Sequence, residues 1–378
     1  MSSRAIYLYH QELENSGYPS GCPFDTSRAG ITYRIISSLG LLSETQSEIP
    51  PLRLATTEEL LRFHQPAYLA AIQLSERGEL NDQTLAMGLG TVDCPLFQGM
   101  YDYARRVAAV SIDGARLLLD GRMDVVFNPW GGLHHAAPAQ ASGFCYLNDV
   151  VLAAQTLIAA GKKVLFLDLD AHHGDGVQNA FYDTRQVMTL SLHESGESLF
   201  PGTGEPEEIG SGDGAGYSVN IPLPAGSGDE IYREAFERAA LLLIDQFNPD
   251  IILLELGLDG LAGDPLTHLQ LTNNIYADIV KTVVALNKPT LALGGGGYHV
   301  ANTARGWALL WSIMSGAEEQ FDPALGLGGI MLQNSDYLGG LRDRVLLSAA
   351  GQSPAIAREV RETINRLHTL LLPLQGSD

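Results

Sequence analysis

The sequence predicts an α/β protein built on a doubly wound, parallel sheet, and three observations carry that prediction. Six short runs of nearly continuous apolar character recur along the chain: AIYLY (5–9), DVVFN (124–128), VLFLDL (164–169), VMTLSL (187–192), IILLEL (251–256) and TLALG (290–294). Strands covered on both faces read this way, because neither face needs polar residues. Stretches of helical period lie between or beyond these runs, at 102–120, 149–160, 229–246, 274–287, 303–315 and 356–372. Such alternation implies parallel strands joined by crossover helices. The third observation is composition: 45% hydrophobic and 18% charged residues over 378 positions supply a large core.

Two segments interrupt the alternation. Residues 196–216 and 318–340 are rich in glycine and acidic side chains, and they read as long loops because strand or helix patterns resume on either side. No internal repeat or domain boundary is visible, so residues 1–378 are expected to form one domain.

Composition also excludes functions. With 23 Lys and Arg against 44 Asp and Glu, the net charge of -21 opposes phosphate backbones and argues against nucleic-acid binding. A cationic ligand would be attracted, although charge of this size also serves solubility. No run reaches the roughly 18 apolar residues of a membrane span, and the start MSSRAIYLYHQE has no long apolar segment, so no membrane contact and a cytoplasmic location are expected. Cys22, Cys94 and Cys145 are widely separated and form no CxxC pair, against a disulfide framework or a thiolate metal site. A metal must then be held by His and Asp.

In open α/β sheets, ligands bind beyond the carboxyl ends of the strands, so the polar residues following each apolar run carry the functional signal. After DVVFN comes NPWGGLHHA with His134 and His135; VLFLDL leads through Asp168, Asp170, His172, His173 and Asp175; IILLEL leads to Asp259; TLAL leads to Gly294–Gly297 and Tyr298. While the chain stays extended, Asp168, Asp170 and His172 alternate onto one face. Asp170 and His172 can thus grip one ion, with Asp259 arriving from a neighbouring strand. Two oxygens and one nitrogen leave a position open for water, as in catalytic zinc sites. A solvated acidic turn would explain one Asp, but not Asp-x-Asp-x-His-His-x-x-Asp.

His134 and His135 suit proton transfer, since imidazole titrates near neutrality. Asp168 and Asp175 remain after the metal has its ligands, and a carboxylate behind each imidazole would fix its tautomer. The glycine run lets backbone approach closely. No GxGxxG or GxxxxGK[ST] context accompanies it, which disfavours nucleotides, whereas Tyr298 can donate a hydrogen bond to a developing oxyanion.

Taken together, GGLHHA, SGFCYLND, DLDAHHGDG, SLHESGESLFPGTG, GLDGLAGDPL and GGGGYHVANTARGW resemble, in order, the zinc-dependent histone deacetylases and their bacterial relatives, including acetoin-utilisation deacetylases and acetylpolyamine amidohydrolases. The resemblance is dense over residues 90–315. It implies the arginase/deacetylase-like fold, a mostly parallel eight-stranded sheet flanked by helices. It also implies one Zn2+ on Asp170, His172 and Asp259, and an acyl-lysine peptide, protein or small acylated amine as substrate. By the same resemblance His135, backed by Asp175, is general base and acid, His134, backed by Asp168, assists electrostatically, and Tyr298 polarises the scissile carbonyl.

Phe144, with Gly143, and Phe200 match the walls of a narrow acyl-lysine tunnel, Asp93 a rim aspartate that binds substrate backbone, and Leu266 a position that tunes substrate choice. Arg28 resembles the arginine of an acetate-release channel, while His173, Ser191 and Tyr217 fall where the family packs the site or holds structural K+. Departures are Leu133, where many members carry an aromatic residue, and Gly196-Glu197-Ser198 ahead of Leu199-Phe200.

Three rival readings are set against the lysine deacylase. A polyamine deacetylase suits the net charge, but Leu266 stands where polyamine-specific relatives tend to carry glutamate. An arginase-like ureohydrolase would share Asp170-Ala171-His172 but needs two metals and leaves His134, His135 and Tyr298 without a role. A non-catalytic acyl-lysine binding module would have lost Tyr298, His135 or a metal ligand, and all are present.

Overall fold

The structure is a computed structural model and describes residues 4–14, 17–42, 44–317, 340–343 and 353–375. Among these, seven strands form one sheet: β1 (Ala5–Tyr7), β2 (Val125–Asn128), β3 (Val164–Asp168), β4 (Val187–Glu194), β5 (Ser218–Leu223), β6 (Ile251–Glu255) and β7 (Thr290–Leu293), in the order β1-β2-β7-β6-β3-β4-β5. Every pairing is parallel. The six sequence-predicted runs are all strands. The eight-strand count taken from the resemblance becomes seven among the described residues, and the predicted 318–340 loop lies outside them apart from Gly340.

Each strand buries alternate residues on opposite faces, as a period of two requires. Leu165, Leu167, Ile252 and Leu254 join one core with the helices Asp229–Ala235, Asn273–Ala285, Val300–Met314 and Pro354–Gln375. Val164, Phe166, Ile251 and Leu253 join another with the helices Met100–Leu119 and Asp149–Ala159. With both faces covered, the strands read as continuous apolar runs. The predicted helix over 229–246 is interrupted by a π-turn at Phe236–Ala240 before it resumes as Leu241–Phe247.

From β3 the chain moves outward to β4 and β5, then crosses back to β6 on the other side of β3 and proceeds to β7. The winding direction reverses between β3 and β6, and the crevice at their carboxyl ends is where this architecture places a ligand.

Candidate active site

Four strand ends deliver the polar residues to that crevice. Past β2, Asn128 turns the chain by accepting from Trp130 N (3.1 Å), and Asp149 at the head of the next helix accepts from Gly132 N (3.2 Å) and Leu133 N (2.8 Å). This anchored turn presents His134 and His135. Past β3, the Asp168 carboxylate accepts from Asp170 N and the Asp170 carboxylate from His172 N, so each side chain fixes the backbone two residues on.

The structure brings the three sequence-predicted metal ligands together. His172 Nδ1 lies 3.1 Å from Asp170 Oδ1 and 2.9 Å from Asp259 Oδ2. Donors about 2.1 Å from one ion stand about 3 Å apart at a right angle and about 3.4 Å apart at the tetrahedral angle, so these three need open only slightly to close on zinc. Glycines make the room: a Cβ on Gly257 would fall 2.0 Å from Asp170 Oδ2, and one on Gly296 2.1 Å from Asp259 Oδ2. Burial alone would depress His172, but Asp259 and Asp170 outweigh it and raise its pKa to about 10. A site that draws a proton so strongly draws a metal cation for the same reason.

The paired histidines are polarised in opposite senses. Their Nε2 atoms are 3.0 Å apart, so one proton lies between them. His135 Nδ1 faces Asp175 Oδ1 at 2.7 Å, and burial followed by the His134 charge lowers its pKa to about 4. Burial also disfavours charge on His134, yet two carboxylates face its Nδ1, Glu255 at 3.0 Å and Asp168 at 3.2 Å, and they raise its pKa well above the usual value.

Tyr298 completes the floor, its ring perpendicular to His172 with centroids 6.2 Å apart and its backbone N–H held by Asp264 Oδ2 at 2.8 Å. Burial and the nearby Asp259 push its hydroxyl well above 10, so it stays a hydrogen-bond donor. Phe144 stands 5.7 Å from Tyr298, and Phe200 stands 5.0 Å from His135, so the predicted wall residues flank the site. Phe144 holds a left-handed φ of 67°, with its carbonyl taken by the Tyr18 hydroxyl. Gly143 is squeezed between walls, since a Cβ there would sit 2.4 Å from His135.

Asp93 reaches the rim but is engaged within the fold, accepting from Gly143 N (3.0 Å) and the Thr91 hydroxyl (2.7 Å). Leu266 is half-buried, its N–H held by Asp264. Arg28 is buried, donating to the Gly297 and Gly295 carbonyls between Phe24 and Trp307. His173 bonds Thr203 and Gln178, Ser191 bonds His193, and Tyr217 packs on Phe247.

Two residues of this constellation escaped sequence reasoning. Asp264 ties the Tyr298 loop to the loop after β6. Glu255 is fully buried against His134; its signal was a glutamate inside the otherwise apolar IILLEL.

The histone deacetylase domain model matches residues 22–314. Histone deacetylase 8 of Xenopus tropicalis is 43% identical over 76% of this chain and 78% of its own length, and histone deacetylase 2 of Oryza sativa subsp. japonica is 37% identical over 83% of this chain and 62% of its own. A crystal structure of an HDAC homologue complexed with SAHA superposes with a TM-score of 0.82 at 33% identity, covering 97% of this chain and all of that one. The domain match spans β2 to β7 and all four strand ends that build the site, and the chain belongs to the histone deacetylase family of hydrolases.

Proposed function

We propose that the chain is a zinc-dependent lysine deacylase that hydrolyses the amide of an acyl-lysine in a peptide or protein. The observation that carries this reading is the pairing of His135 with Asp175 and of His134 with Asp168 beside Asp170, His172 and Asp259. Zinc would be held by those last three residues, and when bound it supplies Lewis acidity and makes water acidic enough to attack near neutral pH.

The chain's own groups then move the protons. Asp175 fixes Nδ1–H of His135 and leaves Nε2 to take a proton from the attacking water; the same nitrogen returns it to the departing lysine amine. Tyr298 donates its hydroxyl proton in a hydrogen bond to the carbonyl oxygen as charge develops there. His134 places positive charge behind His135 and keeps it neutral. Phe144 and Phe200 exclude water from the acyl-lysine chain, and Gly143 lets that chain pass between them. Structural K+ would rest on backbone carbonyls around 168–172 and 181–192.

The test is turnover of a panel by zinc-loaded protein: acetyl-lysine peptides, longer acyl-lysine peptides, acetylated polyamines and arginine, with a hydroxamate control. Hydroxamate-sensitive turnover of lysine peptides is expected. Turnover confined to polyamines, which the charge of -21 would favour, moves the substrate to small amines, and silence on every amide refutes the deacylase.

A further inference from the structure

Glu255 ends β6 with its side chain fully buried, and neither carboxylate oxygen accepts a hydrogen bond from a described residue. Oε1 lies 3.0 Å from His134 Nδ1 without hydrogen-bond alignment, and Asp168 Oδ2 competes for the same nitrogen at 3.2 Å. One N–H cannot satisfy both acceptors, and an uncompensated buried carboxylate costs several kcal/mol. Backbone closes over the spot. A Cβ on Gly132 would stand 3.1 Å from Glu255 Oε1, and one on Gly295 would stand 3.0 Å from Asp170 Oδ2.

We propose that His134, Asp170 and Glu255 form a second site for a small divalent transition metal, sharing Asp170 with the first. Their ligand atoms all lie within 4.8 Å of one another, and each residue is buried. The 3.0 Å between His134 Nδ1 and Glu255 Oε1 is the spacing of neighbouring ligands about 2.1 Å from one ion. One imidazole with carboxylates suits Zn2+, Fe2+ or Mn2+. The inference rests on Asp170 being a ligand of the first metal, as the deacylase reading holds. A cation here takes over the positive charge behind His135 and leaves His134 Nε2–H directed at it.

The competing occupant is a proton. These ligand atoms bind a metal only when deprotonated, so occupancy of the site rises with pH.

Apoprotein is reconstituted with excess Zn2+, Mn2+ or anaerobic Fe2+ at pH 8, desalted, and its metal content per chain measured by plasma mass spectrometry. Two equivalents of at least one metal are expected for the wild type and one for Glu255→Gln, with matching melting curves as the check on folding. Asp259→Asn should keep the second equivalent and lose the first. One equivalent in the wild type with all three metals would overturn the second site and leave the deacylase standing. Two equivalents in both the wild type and Glu255→Gln would overturn it too, and none at all would sink both readings.

Discussion

Gly296→Ala tests the proposed metal centre without replacing any of its three ligands. The added Cβ falls 2.1 Å from Asp259 Oδ2 and 2.7 Å from Asp170 Oδ2, against 3.4 Å for ordinary contact, so one or both carboxylates must retreat by more than 0.5 Å. Gly296 cannot move aside easily, because its N–H donates to Asp170 Oδ2 at 2.6 Å and its carbonyl accepts from Leu258 N at 3.1 Å. Ligand bonds near 2.1 Å tolerate about 0.2 Å of error, so one ligand is lost or badly strained. Disturbing a supporting residue of a metal site lowers affinity about 10- to 100-fold; losing a ligand costs more, and at least 100-fold is expected here. The assay is competition for Zn2+ against a chromophoric chelator, with circular dichroism confirming the sheet. Wild-type affinity in a folded variant would refute the assignment of Asp170 and Asp259 as ligands.

Tyr298→Phe should keep the metal and lose about 100- to 1000-fold in kcat, measured in steady state, since one oxyanion donor disappears; a fully active variant removes the role. Asp264→Asn should lower kcat more than it raises KM, because Asp264 holds the Tyr298 backbone N–H; an unchanged kcat would show that the loop needs no such tie. His134→Asn should move the acid limb of kcat/KM to higher pH, because the His134 charge helps hold His135 down near about 4 and neutral His135 is the active form; a limb that stays or falls contradicts the pairing. Far from the site, burial opposes charge on Glu59, but Arg53 and Arg116 outweigh it and lower its pKa to about 2, so its stabilisation is full above about pH 5 and fades towards pH 2. Glu59→Gln should cost about 2 kcal/mol at pH 7, discounted for partly exposed arginines, in denaturant titrations; a gap of equal size at pH 3 would refute the ion-pair account.

The sheet was legible because its central strands are buried on both faces and announce themselves as apolar runs. β5 was not, for a reason visible in SVNIPL: Ser218, Asn220 and Pro222 break the apolar character, and proline survives there because β5 ends the sheet and, among the described residues, pairs only with β4. The helices Thr57–Leu60 and Asp82–Ala86 also went unread, being short and set by caps and packing. Thr56 and Glu59 do form a capping box, a pattern the sequence carries. That His134, His135, Asp170, His172, Asp259 and Tyr298 come together was legible because strand ends concentrate chemistry. The internal engagement of Asp93 and the facing of Glu255 onto His134 depend on which loops meet across the crevice, and no spacing along one segment encodes that.

The meeting of Glu255 and Asp168 on one nitrogen explains how two adjacent histidines acquire different roles. Their Nε2 atoms share one proton at 3.0 Å, so whichever ring has the more anionic surroundings keeps it. Two carboxylates stand behind His134 and one behind His135, so the proton stays on His134 and His135 presents a lone pair. That lone pair accepts either from His134 or from an incoming water, and at full strength only from one. On the deacylase reading, water entry therefore breaks the link between the histidines, frees His134 Nε2–H to face the developing charge, and makes His135 a base at the moment its partner becomes a donor.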